Sequence, residues 1–388
     1  MANRPIDINT CARRTGLSAA DVGQCAGTAI ISSFRVISAI LAGFGRLAGP
    51  NHAAGFIGHP EIGGRHYTAV PQMNVAPKFL AVCLNPTLQK TLVFSSVRSG
   101  DVNRCLKSRL DASGKGVNVT RVLVQLGESC THLTHAGGQF RRIFINLAQQ
   151  SGVSLQAIDS KSDIRFCTTM IELESDTTTE LVETSERVSE STESRVRRAY
   201  TSLIKLHEFV LISGTKAAGY SEHIIPDMVM TARNQGCRVI LDVQGTDLVK
   251  SLEFKPEIIK PNFSEFAATF EHDLIDSKPS DPVAVERIEA RMRQVSQTYG
   301  CACVVTRGNR ATLVSQAGEV WQQAPEPHDI VNPIGSGDAF AAGLASILAR
   351  KGTLRDAVDE GNRCGLLNAQ QLAPGNLGQS SVPAAKRN

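Results

Sequence analysis

The chain carries Gly335-Ser336-Gly337-Asp338 inside the longer run 332–343, two glycines and a carboxylate within four positions. The run opens directly onto an apolar stretch that predicts a helix to about Lys351. Successive backbone N–H groups at a helix start can hold an anion, and glycines let that backbone approach a phosphate closely. A carboxylate at the same place can orient a hydroxyl and accept its proton as the oxygen attacks phosphorus. The plainer alternative is that Asp338 merely caps its helix.

Such a site needs a scaffold, and the chain supplies a regular one from Lys78 onward. Residues 79–84 predict a short apolar strand. Residues 92–97 and 102–110 predict strands around a turn at Ser99-Gly100-Asp101. Residues 117–126 have helical spacing and end at Gly127, a natural C-cap. A strand over 131–136 and a helix to about Gln150 follow. Residues 166–173 and 180–183 form another strand pair around a polar tip. The Ser-, Thr-, Glu- and Arg-rich stretch 183–198 reads as a solvated loop leading into a helix that ends near His207. Strands over 209–213, 238–242, 258–260 and 301–306 then alternate with helices, including 221–235 and 283–299. That alternation predicts a mainly parallel sheet covered on both faces.

Composition narrows the function classes. The apolar fraction of 42% and charged fraction of 20% suit a globular chain that buries a sizeable core. The net charge of +4 comes entirely from residues 1–78, where seven Lys/Arg face three Asp/Glu; the remainder balances at 34 against 34. Without a clustered basic face, nucleic acid is not an expected partner. The apolar segment 26–44 holds Arg35 near its middle, which costs about 2.5–3.5 kcal/mol on insertion, so no membrane span is expected. Residues 1–78 are expected to be a poorly ordered extension, either a leader or an over-long translation with Met73 as the natural start. The ten cysteines include no CxxC pair and several lie in apolar runs, the pattern of reduced thiols in a cytoplasmic protein.

The run from Asn332 to Asp338 resembles the C-terminal signature of the ribokinase-like (PfkB-type) carbohydrate kinases. Its Asn-Pro-Ile-Gly-Ser-Gly-Asp form is most similar to the 1-phosphofructokinase and tagatose-6-phosphate kinase branch. Other stretches match in order: Leu84-Asn85-Pro86-Thr87-Leu88, Val102-Asn103-Arg104, Ser113-Gly114-Lys115-Gly116-Val117-Asn118, Lys260-Pro261-Asn262-Phe263-Ser264-Glu265, Val304-Val305-Thr306-Arg307-Gly308, and Asn368 through Pro374-Gly375. Together they cover about residues 79–377. The resemblance implies a three-layer α/β/α domain over 79–388 with a mainly parallel central sheet. It also implies a small β-sheet lid built from about 87–110 and 165–183, through which two copies would pair as a homodimer.

The same resemblance implies the roles. ATP would be the phosphoryl donor, with Mg²⁺, and a sugar or sugar phosphate the acceptor. Asp338 would be the base, with Gly335, Ser336 and Gly337 as the anion hole. Lys260, Asn262, Thr306, Arg307, Gly308, Asn332 and Asn368 would face the nucleotide. Asn262 and Glu265 would organise Mg²⁺ through water; a helix-capping pair just after Pro261 is the lesser alternative. Gln89, Arg104, Gly114, Lys115, Asn118, Arg165 and Thr215 would face the acceptor. Lys115 and Arg165 would meet a substrate phosphate, Arg165 through two N–H bonds.

Three departures fall on the sugar side. Gln89 stands where the family usually has Asp, Ser113-Gly114 replaces Gly-Gly, and Lys216-Ala217-Ala218-Gly219 replaces a Pro-rich loop. An amide donates and accepts but lacks the charge and the two-oxygen acceptor of a carboxylate. A hexose phosphate is the leading acceptor. An unphosphorylated sugar or nucleoside is the alternative within the same chemistry, and a non-catalytic sugar or nucleotide sensor is the alternative outside it.

Overall fold

Apolar residues occupy both faces of the central strands, so strand alternation sends one set of side chains into each of two helical layers. The structure, a computed structural model, describes residues 79–326 and 329–378. The extension expected over 1–78, its alternative start at Met73 and the end of the kinase domain over 379–388 lie outside the described residues.

In chain order the elements are β1 (Phe79–Val82), β2 (Thr87–Phe94), β3 (Lys107–Ser113), α1 (Lys115–Gln125), β4 (Cys130–Gly137), α2 (Arg141–Gln150) and β5 (Ser154–Ser160). Then come β6 (Arg165–Glu172), β7 (Thr177–Val182), α3 (Glu190–Leu203), β8 (Phe209–Ser213), α4 (Ile224–Asn234), β9 (Arg238–Asp242) and α5 (Gly245–Ser251). The remainder are β10 (Ile258–Ile259), α6 (Phe263–Phe270), α7 (Pro282–Tyr299), β11 (Ala302–Arg307), β12 (Arg310–Gln316), β13 (Glu319–Gln323), α8 (Ser336–Ala349) and α9 (Leu354–Ala369).

The main sheet has nine strands in the order β13-β12-β11-β10-β9-β8-β1-β4-β5. It is parallel from β11 to β5 and ends in the antiparallel pair β12 and β13. Leu80, Val82, Val210, Ile212 and Leu241 point to one side, where they pack with Tyr200 of α3, Ile225 of α4, Phe266 of α6 and Ile288 of α7. Phe79, Ala81, Phe209, Leu211 and Ile240 point to the other, against Val122 of α1, Phe340 of α8 and Ala357 of α9. The chain therefore forms the expected three-layer α/β/α architecture.

A second, four-stranded sheet runs β3-β2-β6-β7, with β2 and β6 parallel and the outer pairs antiparallel. Its apolar face sets Leu88 and Ala112 against Phe144 and Ala148 of α2. The alternate positions Thr87, Gln89, Ser113, Arg165, Cys167, Glu180 and Val182 line a cavity. This polar-inward face explains a shift from expectation. β2 begins at Thr87 rather than 92, and β3 spans Lys107–Ser113 rather than 102–110, because polar residues fill the positions where apolar ones would have marked the strand. β5, β12, β13, α5, α6 and α9 go beyond the expected elements. Of these, β5 and β13 are the two edge strands of the main sheet, where burial is partial and the apolar signal weak.

Candidate active site

Two cavities adjoin at the C-terminal ends of the central strands, where open α/β sheets bind ligands. One of about 370 Å³ lies beneath the four-stranded sheet. The other, about 470 Å³, opens between the start of α6, the end of β11 and the start of α8. Asn262, Thr306, Pro333 and Gly337 line both, so the junction falls at the glycine-rich start of α8.

Gly335 caps α8 with φ of 86°, a left-handed conformation. A Cβ there would meet Gly375 N and Pro374 Cβ at 3.0 Å, so this turn requires glycine for both its conformation and its space. The Ser336 amide donates to Pro333 O at 3.2 Å, whereas among the described residues the Gly335 and Gly337 amides have no backbone acceptor. Of the three residues expected to form an anion hole, the two glycines are therefore the ones whose N–H groups have no backbone acceptor among the described residues.

Asp338 makes no capping bond to its own helix. Its Oδ2 accepts from Asn118 Nδ2 at 2.8 Å, across to α1. The carboxyl is buried, at 6% exposure, beneath the first turn. Burial pushes its pKa up to about 7, and the nearby Asp242 carboxylate adds to the rise; Lys115, the Asn118 amide and Lys260 oppose it. A base poised near neutrality is suited to taking a hydroxyl proton.

Behind Asp338 lies a buried charge cluster. Asp242 ends β9 with its side chain 2% exposed, 3.1 Å from Lys115 Nζ and 3.3 Å from Lys260 Nζ. Burial alone would raise the Asp242 pKa, yet the two ammonium groups hold it below the usual carboxylate value. Burial likewise favours neutral Lys115, but Asp242, Glu265 and Asp338 keep it charged, with its pKa raised. Lys115 also donates to Glu265 Oε1 at 3.0 Å. Asn262 and Glu265 form a reciprocal capping box at the start of α6, with both bonds at 2.9 Å.

On the sheet above, Gln89 is 2% exposed and donates to Thr169 Oγ1 at 2.6 Å. Arg165 donates through Nη1 to Glu183 O at 3.2 Å, while its buried Nε has no hydrogen-bond partner. Gly114 caps α1 with φ of 103°, turning the chain so that Lys115 and Asn118 both reach the cavity.

The structure therefore brings Gln89, Gly114, Lys115, Asn118, Arg165, Lys260, Glu265, Gly335 and Asp338 around the smaller cavity. Arg307, Gly308 and Ser336 line the larger one, while Asn262, Thr306 and Gly337 line both. Four expected residues stand outside both cavities. Arg104 is exposed on the connection between β2 and β3. Thr215 accepts from Asn85 Nδ2 at 3.0 Å, joining two strand-end loops. Asn332 donates to Leu372 O at 2.9 Å and accepts from Ile334 N at 3.1 Å. Asn368 donates to Ile334 O and Ser336 Oγ and accepts from Gly375 N at 2.7 Å. These two asparagines brace the glycine turn from behind.

Asp242 and Glu180 line the cavity but were not among the expected residues. Asp242 had a readable signal, a carboxylate closing an apolar strand at the sheet's ligand-binding end. Glu180 had none, because its strand is largely exposed and opens on three threonines, with no apolar alternation to mark an inward face.

Comparison with known proteins agrees with this fold. The family model described as pfkB family carbohydrate kinase matches residues 87–379. The tetrameric inhibited form of phosphofructokinase-2 from Escherichia coli is similar with a TM-score of 0.66 at 21% identity, over 76% of this chain and 94% of that one. A protein described as a possible 1-phosphofructokinase from Thermotoga maritima is similar with a TM-score of 0.68 at 21% identity, over 76% of this chain and 93% of that one. Ribokinase from Thermotoga maritima is similar with a TM-score of 0.59 at 12% identity, over 77% of this chain and 95% of that one. At these identities the likeness is one of fold.

Proposed function

The chain belongs to the pfkB family of carbohydrate kinases and is a phosphotransferase acting on a sugar hydroxyl; on that premise we propose that it moves the γ-phosphoryl group of ATP onto a hexose phosphate. The observation that carries the reading is Asp338, which is buried against the smaller cavity, next to Gly337 where the two cavities meet, and is held by Asn118 instead of capping its helix. Asp338 accepts the acceptor's proton, and the Gly335 and Gly337 amides receive the charge that develops on the transferring group. Thr306, Gly308 and Asn262 edge the nucleotide side. Arg165 meets the acceptor's own phosphate, a role that its unpartnered Nε supports.

The donor set fits a water-mediated Mg²⁺. Among the described residues no group of three or more His, Cys, Asp or Glu side chains could hold a metal ion. Glu265 nevertheless presents hard oxygens to the cavity, each already accepting one bond and each with a second lone pair. Asn262 and Glu265 would hold the ion through its waters, and the ion would neutralise charge on the phosphates.

The exposed apolar side chains Val102, Leu106, Leu173 and Leu181 all lie in or beside the four-stranded sheet, which supports a homodimer through that sheet. Among the described residues no helix is long and apolar enough to cross a membrane. The eight described cysteines are all unpaired, and a cytoplasmic location is proposed from their suitability to a reducing compartment.

A second reading, an unphosphorylated sugar as acceptor, is favoured by one observation: Lys115 and Lys260 are already paired with carboxylates. Mg·ATP turnover across hexose phosphates and free sugars separates the two. Faster turnover of a hexose phosphate is expected, and faster turnover of a free sugar selects the second reading. Binding of sugar or nucleotide with no turnover of any acceptor contradicts both and points to a sensor.

A further inference from the structure

Four carboxylates line the acceptor cavity: Glu180, Asp242, Glu265 and Asp338. Three are committed. Asp242 lies between Lys115 and Lys260. Glu265 accepts from Lys115 and from the Asn262 backbone. Asp338 accepts from Asn118 and is the proposed base. Glu180 differs. It is exposed on the edge strand β7, and among the described residues its carboxylate meets only the Gln89 side chain, with Nε2 3.4 Å from Oε1.

Gln89 is the buried half of this pair. Its Nε2 sits 2.6 Å from Thr169 Oγ1, and Thr169 is the cross-strand partner of Glu180. With its N–H₂ group so engaged, Gln89 can offer an acceptor sugar its single amide oxygen. A carboxylate offers two oxygens and can accept from two neighbouring hydroxyls at once. Sugar hydroxyls cut off from water need such acceptors, since a buried donor left without one is costly. Arg165 and Thr169 are four residues apart on β6, about 13 Å along the strand. The long side chains of Arg165 and Glu180 can therefore serve opposite ends of one hexose phosphate.

We infer that Glu180, steered by the buried Gln89, is the carboxylate that accepts hydrogen bonds from the hydroxyls of the acceptor sugar and thereby helps select it. The inference rests on the acceptor being a carbohydrate, as proposed above. Glu180 is the residue that touches the sugar, and Gln89 is a positioning residue that acts through it.

Calorimetric titration of the full chain with fructose 6-phosphate, fructose 1-phosphate, tagatose 6-phosphate and free fructose, in the presence of a non-hydrolysable ATP analogue, tests this. The parent, Glu180→Gln, Glu180→Asp, Gln89→Ala and the double variant Glu180→Gln/Gln89→Ala are compared, with melting temperature as the folding control. Glu180→Gln is expected to weaken the best-bound hexose phosphate about 10- to 100-fold, the size of a hydrogen bond to a charged group. Affinity for the ATP analogue should not change. Glu180→Asp keeps the charge and should retain more affinity than Glu180→Gln, a difference that a merely structural side chain would not show. Gln89→Ala should weaken binding in the parent but add nothing once Glu180 is changed, because its effect passes through Glu180. Unchanged sugar affinity in Glu180→Gln overturns the inference and leaves the kinase reading standing, as do losses from the two residues that multiply independently. A parent chain that binds no sugar phosphate and no free hexose overturns the acceptor reading and this inference together.

Discussion

The two ends of the proposed acceptor cavity, one for transfer and one for selection, are built in different ways. The transfer end is backbone: the turn at Gly335, the first amides of α8 and a carboxylate sunk beneath them, braced by Asn332 and Asn368 and packed against the core. The selecting end is side chains on a four-stranded sheet, where Gln89, Arg165 and Glu180 come from β2, β6 and β7. A backbone site is rigid and indifferent to which sugar arrives. A side-chain site on a small sheet can be altered one residue at a time without disturbing the chemistry. Two of the departures from the family pattern, Gln89 on β2 and Ser113 on β3, fall on the second kind.

Changes at the transfer end should abolish turnover of every acceptor alike. Asp338→Asn removes the base and is expected to lower kcat about 10²–10⁴-fold in steady-state assays. A smaller loss for one acceptor than for another would break the contrast. Gly335→Ala forces a side chain onto a left-handed residue and against Gly375 N and Pro374 Cβ. It should displace the anion-holding amides and cost up to about 10²–10³-fold in kcat, the effect of losing one such donor.

At the selecting end, Arg165→Ala should raise KM for a phosphorylated acceptor about 10- to 100-fold, with kcat at saturation nearly retained. An equal effect on a free sugar would show that Arg165 is not reading the phosphate.

Acidity separates chemistry from stability. Asp338 must be ionised to accept a proton, and its pKa is about 7, so kcat/KM of the free enzyme should fall about tenfold per pH unit below neutrality. Because Asp242 raises that pKa, Asp242→Asn should move the acid limb to lower pH. Stability should fail later and more gradually. His132 and His135 are buried in β4, and burial lowers the pKa of each to about 4. The unfolded chain binds these protons near pH 6.5 while the folded chain does not. Their contribution is present above 6.5 and lost as pH falls towards 4, at about 1.4 kcal/mol per pH unit for each histidine. Thermal melts across pH 7 to 5 check it: activity should decline before the melting temperature does.

The two ends also differed in how far they could be read from the sequence. The transfer end lies in one contiguous run, so Gly335, Gly337 and Asp338 declared themselves with the helix that follows them. The central strands were legible for the same reason, as short apolar runs such as Phe209–Ser213. Glu180 was not, because what makes it notable is its nearness to Gln89, ninety-one positions away in the chain. The strand edges of β2 and β3 were displaced because their cavity-facing positions are polar. Asn332 and Asn368 belong to the motifs that resemble the family, yet motif membership does not separate residues lining a cavity from residues bracing its wall. That distinction needed the bonds to Leu372 O and Ile334 O.

The most direct measurement of the division between transfer and selection is acceptor affinity set beside single-turnover phosphoryl transfer for Asp338→Asn and Arg165→Ala. The account predicts that Asp338→Asn binds a hexose phosphate as the parent does and transfers almost nothing. Arg165→Ala should bind it weakly and still transfer at near-parental rate when saturated. Loss of transfer at saturation in Arg165→Ala, or near-parental transfer in Asp338→Asn, would contradict it.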